Sequence, residues 1–188
     1  MKRLVLISLL LLTACKEEVA QSTDPVALGP DTIGHFCQMN LTEHPGPKAQ
    51  AHLDGLPGAP LFFSQVRDAI AYARLPERDH RILAIWVSDM GAPGATWDNP
   101  GADNWTEAAS ATYVMGSSLM GGMGAPDVIP FADPAKARSF AARFGGRVLS
   151  LDDIPDRAVL PPDQSPASDD DPAFDARLRA LSKTQAGG

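Results

Sequence analysis

The sequence predicts an α+β fold of two related lobes of ββαβ topology, flanked by a disordered N-terminal spacer and a disordered C-terminal tail. Three observations predict it. The segment LFFSQVRDAIAYAR resembles IPFADPAKARSFAARF, with Phe63 over Phe131, Ala69 over Ala137, Tyr72 over Phe140 and Ala73 over Ala141. A strand-like run follows each copy, RILAIWVSD after the first and GRVLSLDDI after the second. Extended candidates also precede each copy, AQAHLD with PLFF in the first and ASATYVMGS with DVIPF in the second. A unit repeated in this way buries its apolar faces around a shared interior.

Residues 1–14 read as a signal peptide. Lys2 and Arg3 open it, an apolar run extends from Leu4 to Leu12, and small residues precede Cys15. The run is too short for a spanning helix. Leu12-Thr13-Ala14-Cys15 resembles a bacterial lipobox, which makes Cys15 the expected site of lipidation. Acyl chains bury methylenes at about 0.8 kcal/mol each, so they tether a protein to a membrane that it does not cross. Lys16 stands where an aspartate would signal inner-membrane retention, which favours the outer membrane for a periplasmic lipoprotein. Residues 15–30 then form a polar, lipidated linker.

Residues 31–90 make the first ββαβ lobe. Its helix takes Ser64 as the expected cap and ends before Pro76. Residues 91–105 form an interlobe loop rich in Gly, Pro, Asn and Asp, where Trp97 and Trp105 either pin the loop or meet a partner. Residues 106–154 make the second lobe. There Asp133 caps a helix, Pro134 fits its first turn and Gly145-Gly146 stops it. Residues 155–188 are Pro-, Asp- and Ser-rich and read as a disordered tail, in which DPAFDARLRALSKT has the pattern of a short helix.

Charge narrows the partners. Removing Lys2 and Arg3 from a formal net charge of −7 leaves −9, and no long basic block remains. Nucleic acid is therefore not an expected partner, because phosphate contacts need clustered Lys and Arg.

Cys37 is the only cysteine besides Cys15, so once Cys15 is acylated it has no disulfide partner. Met39 lies two residues on, and an extended strand would turn both sulfurs to one side. Thiolate and thioether together form a soft donor pair that selects Cu(I). A zinc site would need more Cys or His at short spacing. YVMGSSLMGGMGAPD supplies further thioethers. Met115 follows apolar residues and reads as core, whereas Met120 and Met123 are flanked by glycine and read as metal ligands. His35 and His44 read as surface imidazoles, with His35 the better placed to support Cys37.

FCQMNLTEHPGPKAQ, followed by YVMGSSLMGGMGAPDVIPFADPAKARSFAARFGGRVLSLDDI, resembles the NosL family, accessory lipoproteins of nitrous oxide reductase maturation. The likeness spans about His35 to Ile154, together with the lipobox. It implies a periplasmic, non-enzymatic Cu(I) chaperone that supplies the copper-sulfide centre of the reductase and works with a membrane ABC-type complex. It also implies two ββαβ lobes, Cys37 and Met39 as the copper pair, and Met120 or Met123 as a third ligand. Two rival readings remain on the residues alone. One is a thiol-dependent enzyme using Cys37, although the phosphate-cradling glycine pattern, the Ser elbow and the HExxH helix are all missing. The other is a tethering lipoprotein that binds a partner through its tryptophan loop.

Overall fold

The computed structural model describes residues 20–160. Cys15, the signal peptide and the tail helix expected after Asp171 lie outside these residues. The first lobe contains β1 (Ala49–Leu53), β2 (Leu61–Phe63), α1 (Val66–Arg74) and β3 (Ile82–Ser88). A short β4 (Trp105–Glu107) joins its edge, giving an antiparallel sheet of order β2-β1-β3-β4. The second lobe contains β5 (Thr112–Met120), β6 (Pro126–Phe131), α2 (Pro134–Phe144) and β7 (Arg147–Leu149), with sheet order β6-β5-β7. In both lobes the first strand is central, its hairpin partner lies on one side, and the strand after the helix lies on the other. The repeat in the sequence is thus a repeat of topology.

The aligned residues occupy equivalent places. Phe63 and Phe131 end the second strand of each lobe, and Ala69 and Ala137 are fully buried small residues that let each helix sit close to its sheet. The largest apolar cluster crosses the lobes, joining Phe63, Val66, Ile70 and Val87 of the first to Tyr113 and Val128 of the second. A smaller cluster of Val114, Ile129, Phe131 and Ala137 lies beneath α2. Each fully buried side chain of the Val or Phe class contributes about 1.5–3 kcal/mol of transfer free energy.

The second helix begins and ends as its residues dictate. The Asp133 side chain accepts from the Ala135 N–H, Pro134 opens the first turn, and Gly145 closes the helix at φ 76°. The first helix does not. Ser64 caps nothing, Gln65 holds the cap position without capping, and the side chain comes from the other lobe. Asp127 of β6 accepts from the N–H groups of Arg67 at 2.9 Å and Val66 at 3.4 Å.

Both ends of the described chain depart from what the sequence predicts. The spacer anticipated as far as about Gly29 is docked from Gln21 onward. The Gln21 carboxamide donates to the Leu53 carbonyl at 2.8 Å and accepts from the Gly55 N–H at 3.0 Å. The Gln50 carboxamide pairs with the N–H and C=O of Val26, both at 2.9 Å, and the Trp86 indole donates to the Thr23 carbonyl. This strap covers the face of β1 that carries Gln50 and His52, and all five residues of β1 are consequently buried. The tail expected from Pro155 opens instead with a single helical turn, α3 (Asp156–Val159). Arg74 donates to the carbonyls of Leu151 and Ile154 and pairs with Asp156 at 2.9 Å, and Val159 is buried. The interlobe loop is fastened as well. The Asp89 carboxylate accepts from Gly91 and Ala132, the Trp97 carbonyl accepts from Gly46 N–H, and the Trp97 ring packs on the cluster beneath α2.

Candidate metal centre

Cys37 does not lie on a strand. Residues 33–40 form a closed loop, pinned by an Ile33–Asn40 bridge and by the Gly34 N–H donating to the Met39 carbonyl at 3.0 Å. Gln38 adopts φ 55°, and its N–H reaches the Gly34 carbonyl at 2.9 Å. The expected extended Cys-x-Met is therefore a tight turn. The Cys37 sulfur folds inward toward the Met39 carbonyl at 3.9 Å, while the Met39 side chain is exposed. A Cβ on Gly34 would lie 2.4 Å from the Cys37 sulfur, so any side chain there would push the thiol aside.

The loop is seated on the first lobe. His35 N–H donates to the Phe62 carbonyl, and the His35 and Phe36 rings stack with Phe63 and Tyr72 at centroid separations of 5.2 to 6.2 Å. Beneath it lies Lys48, 2% exposed, whose ammonium donates to the carbonyls of His44, Pro45 and Gly46 at 2.7 to 3.1 Å. Burial lowers the Lys48 pKa to about 8, opposed by the negative charges of Asp127 and Cys37. A buried cation thus lies within electrostatic range of the cysteine.

The methionine-bearing turn comes from the other lobe. A bulge after Met115, at Gly116 with φ 81°, carries the end of β5 clear of β7, and Met120 rejoins β6 only at Pro126. Gly121 and Gly122 then pack flat against the first lobe. A Cβ on Gly121 would come 2.6 Å from the Gln65 amide nitrogen, and one on Gly122 would come 2.6 Å from the Pro45 carbonyl. The glycine-rich segment is thus a docked turn.

One open cleft of about 350 Å³ results, lined by Phe36, Cys37, Gln65, Arg67, Asp68 and Met123, with Ala125 at its margin. Cys37 and Met123 thus meet across the lobes. Met39 and Met120 do not line this cleft, but both are exposed, at 38% and 48%. Met115 is half-buried against the main core, in keeping with its reading as packing. His44 stays half-buried with its Nε2 unpaired, close to Gly122 and outside the cleft. Among the described residues no three of His, Cys, Asp and Glu gather to hold a metal ion.

Sequence reasoning missed Gln65, Arg67, Asp68 and Asp127. The first three look like ordinary residues at a helix start, and nothing local to Asp127 reveals that it caps a helix of the other lobe. Burial raises the Asp127 pKa to about 7, against the N–H groups of Arg67 and Val128 that favour its charged form. Burial likewise raises that of Asp68, opposed by Arg67. Lys48 lay inside the quoted Gly-Pro-Lys stretch, without a role.

These features define a class: a two-lobed α+β protein that presents thiol and thioether donors in an open cleft between its lobes. The family model NosL matches residues 25–159, and the chain belongs to the NosL family. It is 58% identical to the copper-binding lipoprotein NosL of Achromobacter cycloclastes over 181 residues, 95% of this chain and 93% of the relative. It is 38% identical to the copper-binding lipoprotein NosL of Stutzerimonas stutzeri over 151 residues, 79% of this chain and 76% of the relative. The crystal structure of the copper chaperone NosL from Shewanella denitrificans superposes with a TM-score of 0.63 at 28% identity, over 69% of this chain and 94% of that one.

Proposed function

We propose that this chain is a Cu(I) carrier, not an enzyme, with Cys37 as its anchor ligand and the thioethers of Met39, Met120 and Met123 as its soft partners. The observation that carries the reading is the cleft in which Cys37 of one lobe and Met123 of the other face the same open space. The donor set fits the ion: thiolate and thioether bind Cu(I) in preference to oxygen-seeking cations. Met123 in the cleft is 40% exposed, and Met39 and Met120 outside it are exposed too, so an acceptor's sulfur can bind before the donor's releases. Each exchange then needs only a small free-energy step, and an ion bound by two or three sulfurs is not trapped.

The copper is destined, in this reading, for the copper-sulfide centre of nitrous oxide reductase, with a membrane ABC-type complex as co-worker. Membership of the NosL family and relatives named copper-binding lipoproteins and a copper chaperone support it. The chain works in the periplasm, tethered through lipid on Cys15, with the outer membrane favoured. The deciding experiment is an anaerobic Cu(I) titration of a soluble chain beginning at Lys16 against a chromophoric chelator. The expected result is tight uptake of about one Cu(I) per chain, or one per pair of chains, that collapses in Cys37→Ser. Equal uptake by the two proteins would remove copper from Cys37.

A further inference from the structure

Among the polar residues of the cleft that copper carriage by sulfur alone does not use, Gln65 stands out. Gln65 is 2% exposed, and its Nε2 has no hydrogen-bond partner. It stands at the cap position of α1 without capping it, and Asp127 accepts from the first N–H groups of the helix instead. The amide nitrogen lies against Gly121 of the methionine turn, and Gln65 lines the cleft together with Cys37 and Met123. Leaving a buried N–H unpaired is unfavourable by about 1–3 kcal/mol, so a position that maintains one has an acceptor for it in some state.

Cys37 supplies that acceptor when it binds a metal. The Cys37 sulfur has only a distant contact to the Met39 carbonyl, at 3.9 Å. Coordination displaces the thiol proton to solvent, and the sulfur changes from a weak donor to an anionic acceptor. An unpaired donor and a latent acceptor therefore share one cleft. We propose that Gln65 is a positioning residue of the metal site, whose Nε2 donates to the Cys37 sulfur in the copper-loaded protein. The proposal rests on the reading of Cys37 as a copper ligand. The hydrogen bond fixes the sulfur's direction relative to the methionine turn and draws charge from it, so that the thiolate holds copper without closing on it. It also links the two lobes, since Gln65 touches Gly121 on one side and the cysteine cleft on the other.

The test uses the soluble chain with ¹⁵N-labelled glutamine side chains. The Gln65 NH₂ signals, assigned by their loss in Gln65→Leu, are expected to move on anaerobic addition of one equivalent of Cu(I) and to stay in place in Cys37→Ser. Gln65→Leu removes the donor and adds no ligand for copper. It is expected to weaken Cu(I) binding about 10- to 100-fold and to shift the ultraviolet thiolate-to-copper band. Gln65→Glu, which faces the thiolate with a carboxylate, is expected to weaken binding further. If copper binds through Cys37 but the Gln65 signals do not move and Gln65→Leu binds as tightly as the parent, the proposal is overturned while the copper reading stands. If Cys37→Ser binds as tightly as the parent, the copper reading itself falls. Should Gln65→Leu not fold, the signals of the parent protein still decide.

Discussion

Asp127 shows how one residue joins the two lobes and leaves a titration signature. Its folded pKa, about 7, lies above the ordinary 3.8, so between these values the folded chain holds a proton that the unfolded chain has lost. Stability from this group is full below the lower value and is lost as pH rises toward 7. Lys48 acts at higher pH: with its pKa lowered from 10.5 to about 8, the unfolded chain binds the extra proton between those values, and stability recovers as pH rises through them. Urea midpoints are thus expected to fall from pH 4 to 7 and to rise again above 8. Asp127→Asn, which still caps, should flatten the acid limb. Asp127→Ala should cost about 1–2 kcal/mol at pH 5 through the lost cap. An unchanged acid limb in Asp127→Asn would show that other carboxylates dominate. None of this was legible in the sequence, because the groups that perturb Asp127 and Lys48 come from distant segments.

At the scale of the element, the strands and helices of both lobes were legible because each carries its own signal. Asp133, Pro134 and Gly145 mark α2 in a contiguous stretch, and a strand-like apolar run marks β3. β4 gave too little, since Trp105–Glu107 pairs only with the edge of β3. The Cys37 segment misled for a different reason: Gln38 in the left-handed region converts an apparent extended pair into a turn, and nothing in Cys-Gln-Met announces a positive φ. Glycines 121 and 122 are read better as close-packing residues than as hinges. Gly122→Ala should therefore push the methionine turn off Pro45 and His44, costing about 1–3 kcal/mol in stability and weakening Cu(I) binding. Gly124, at φ 71° with open space around its missing Cβ, is the control. Gly124→Ala should lose about 1–2 kcal/mol to backbone strain and leave copper affinity unchanged. Equal losses of affinity in both variants would argue against a docked turn.

The whole molecule is stabilised from outside its two sheets as well as between them. The buried polar face of β1, with Gln50 and His52, looks from the sequence like a solvent face, and the strap that covers it looks like linker. Its side-chain pairing is what the alternation of Gln50 between Ala49 and Ala51 could not reveal. Burial lowers the His52 pKa, opposed by the negative charge of Asp24 on that strap. Gln50→Ala removes both bonds to Val26 and should cost about 1–3 kcal/mol, and a chain beginning at Pro30 should lose more. Urea denaturation measures both. Midpoints equal to that of the chain beginning at Lys16 would show the strap to be dispensable.

That strap also sets the geometry of work at a membrane. It first grips the sheet at Leu53 and Gly55, the opposite end of β1 from Lys48 and the cysteine loop above it. With lipid on Cys15 as proposed, six residue steps separate the acyl chains from Gln21, a reach of at most about 20 Å. On that anchor the chain would stay close to the bilayer, with its cysteine loop at the end of β1 away from the tether. Copper exchange, as proposed, would then be a two-dimensional search near the membrane surface, and an acceptor that presents its sulfurs there would gain in encounter frequency over one free in the surrounding fluid.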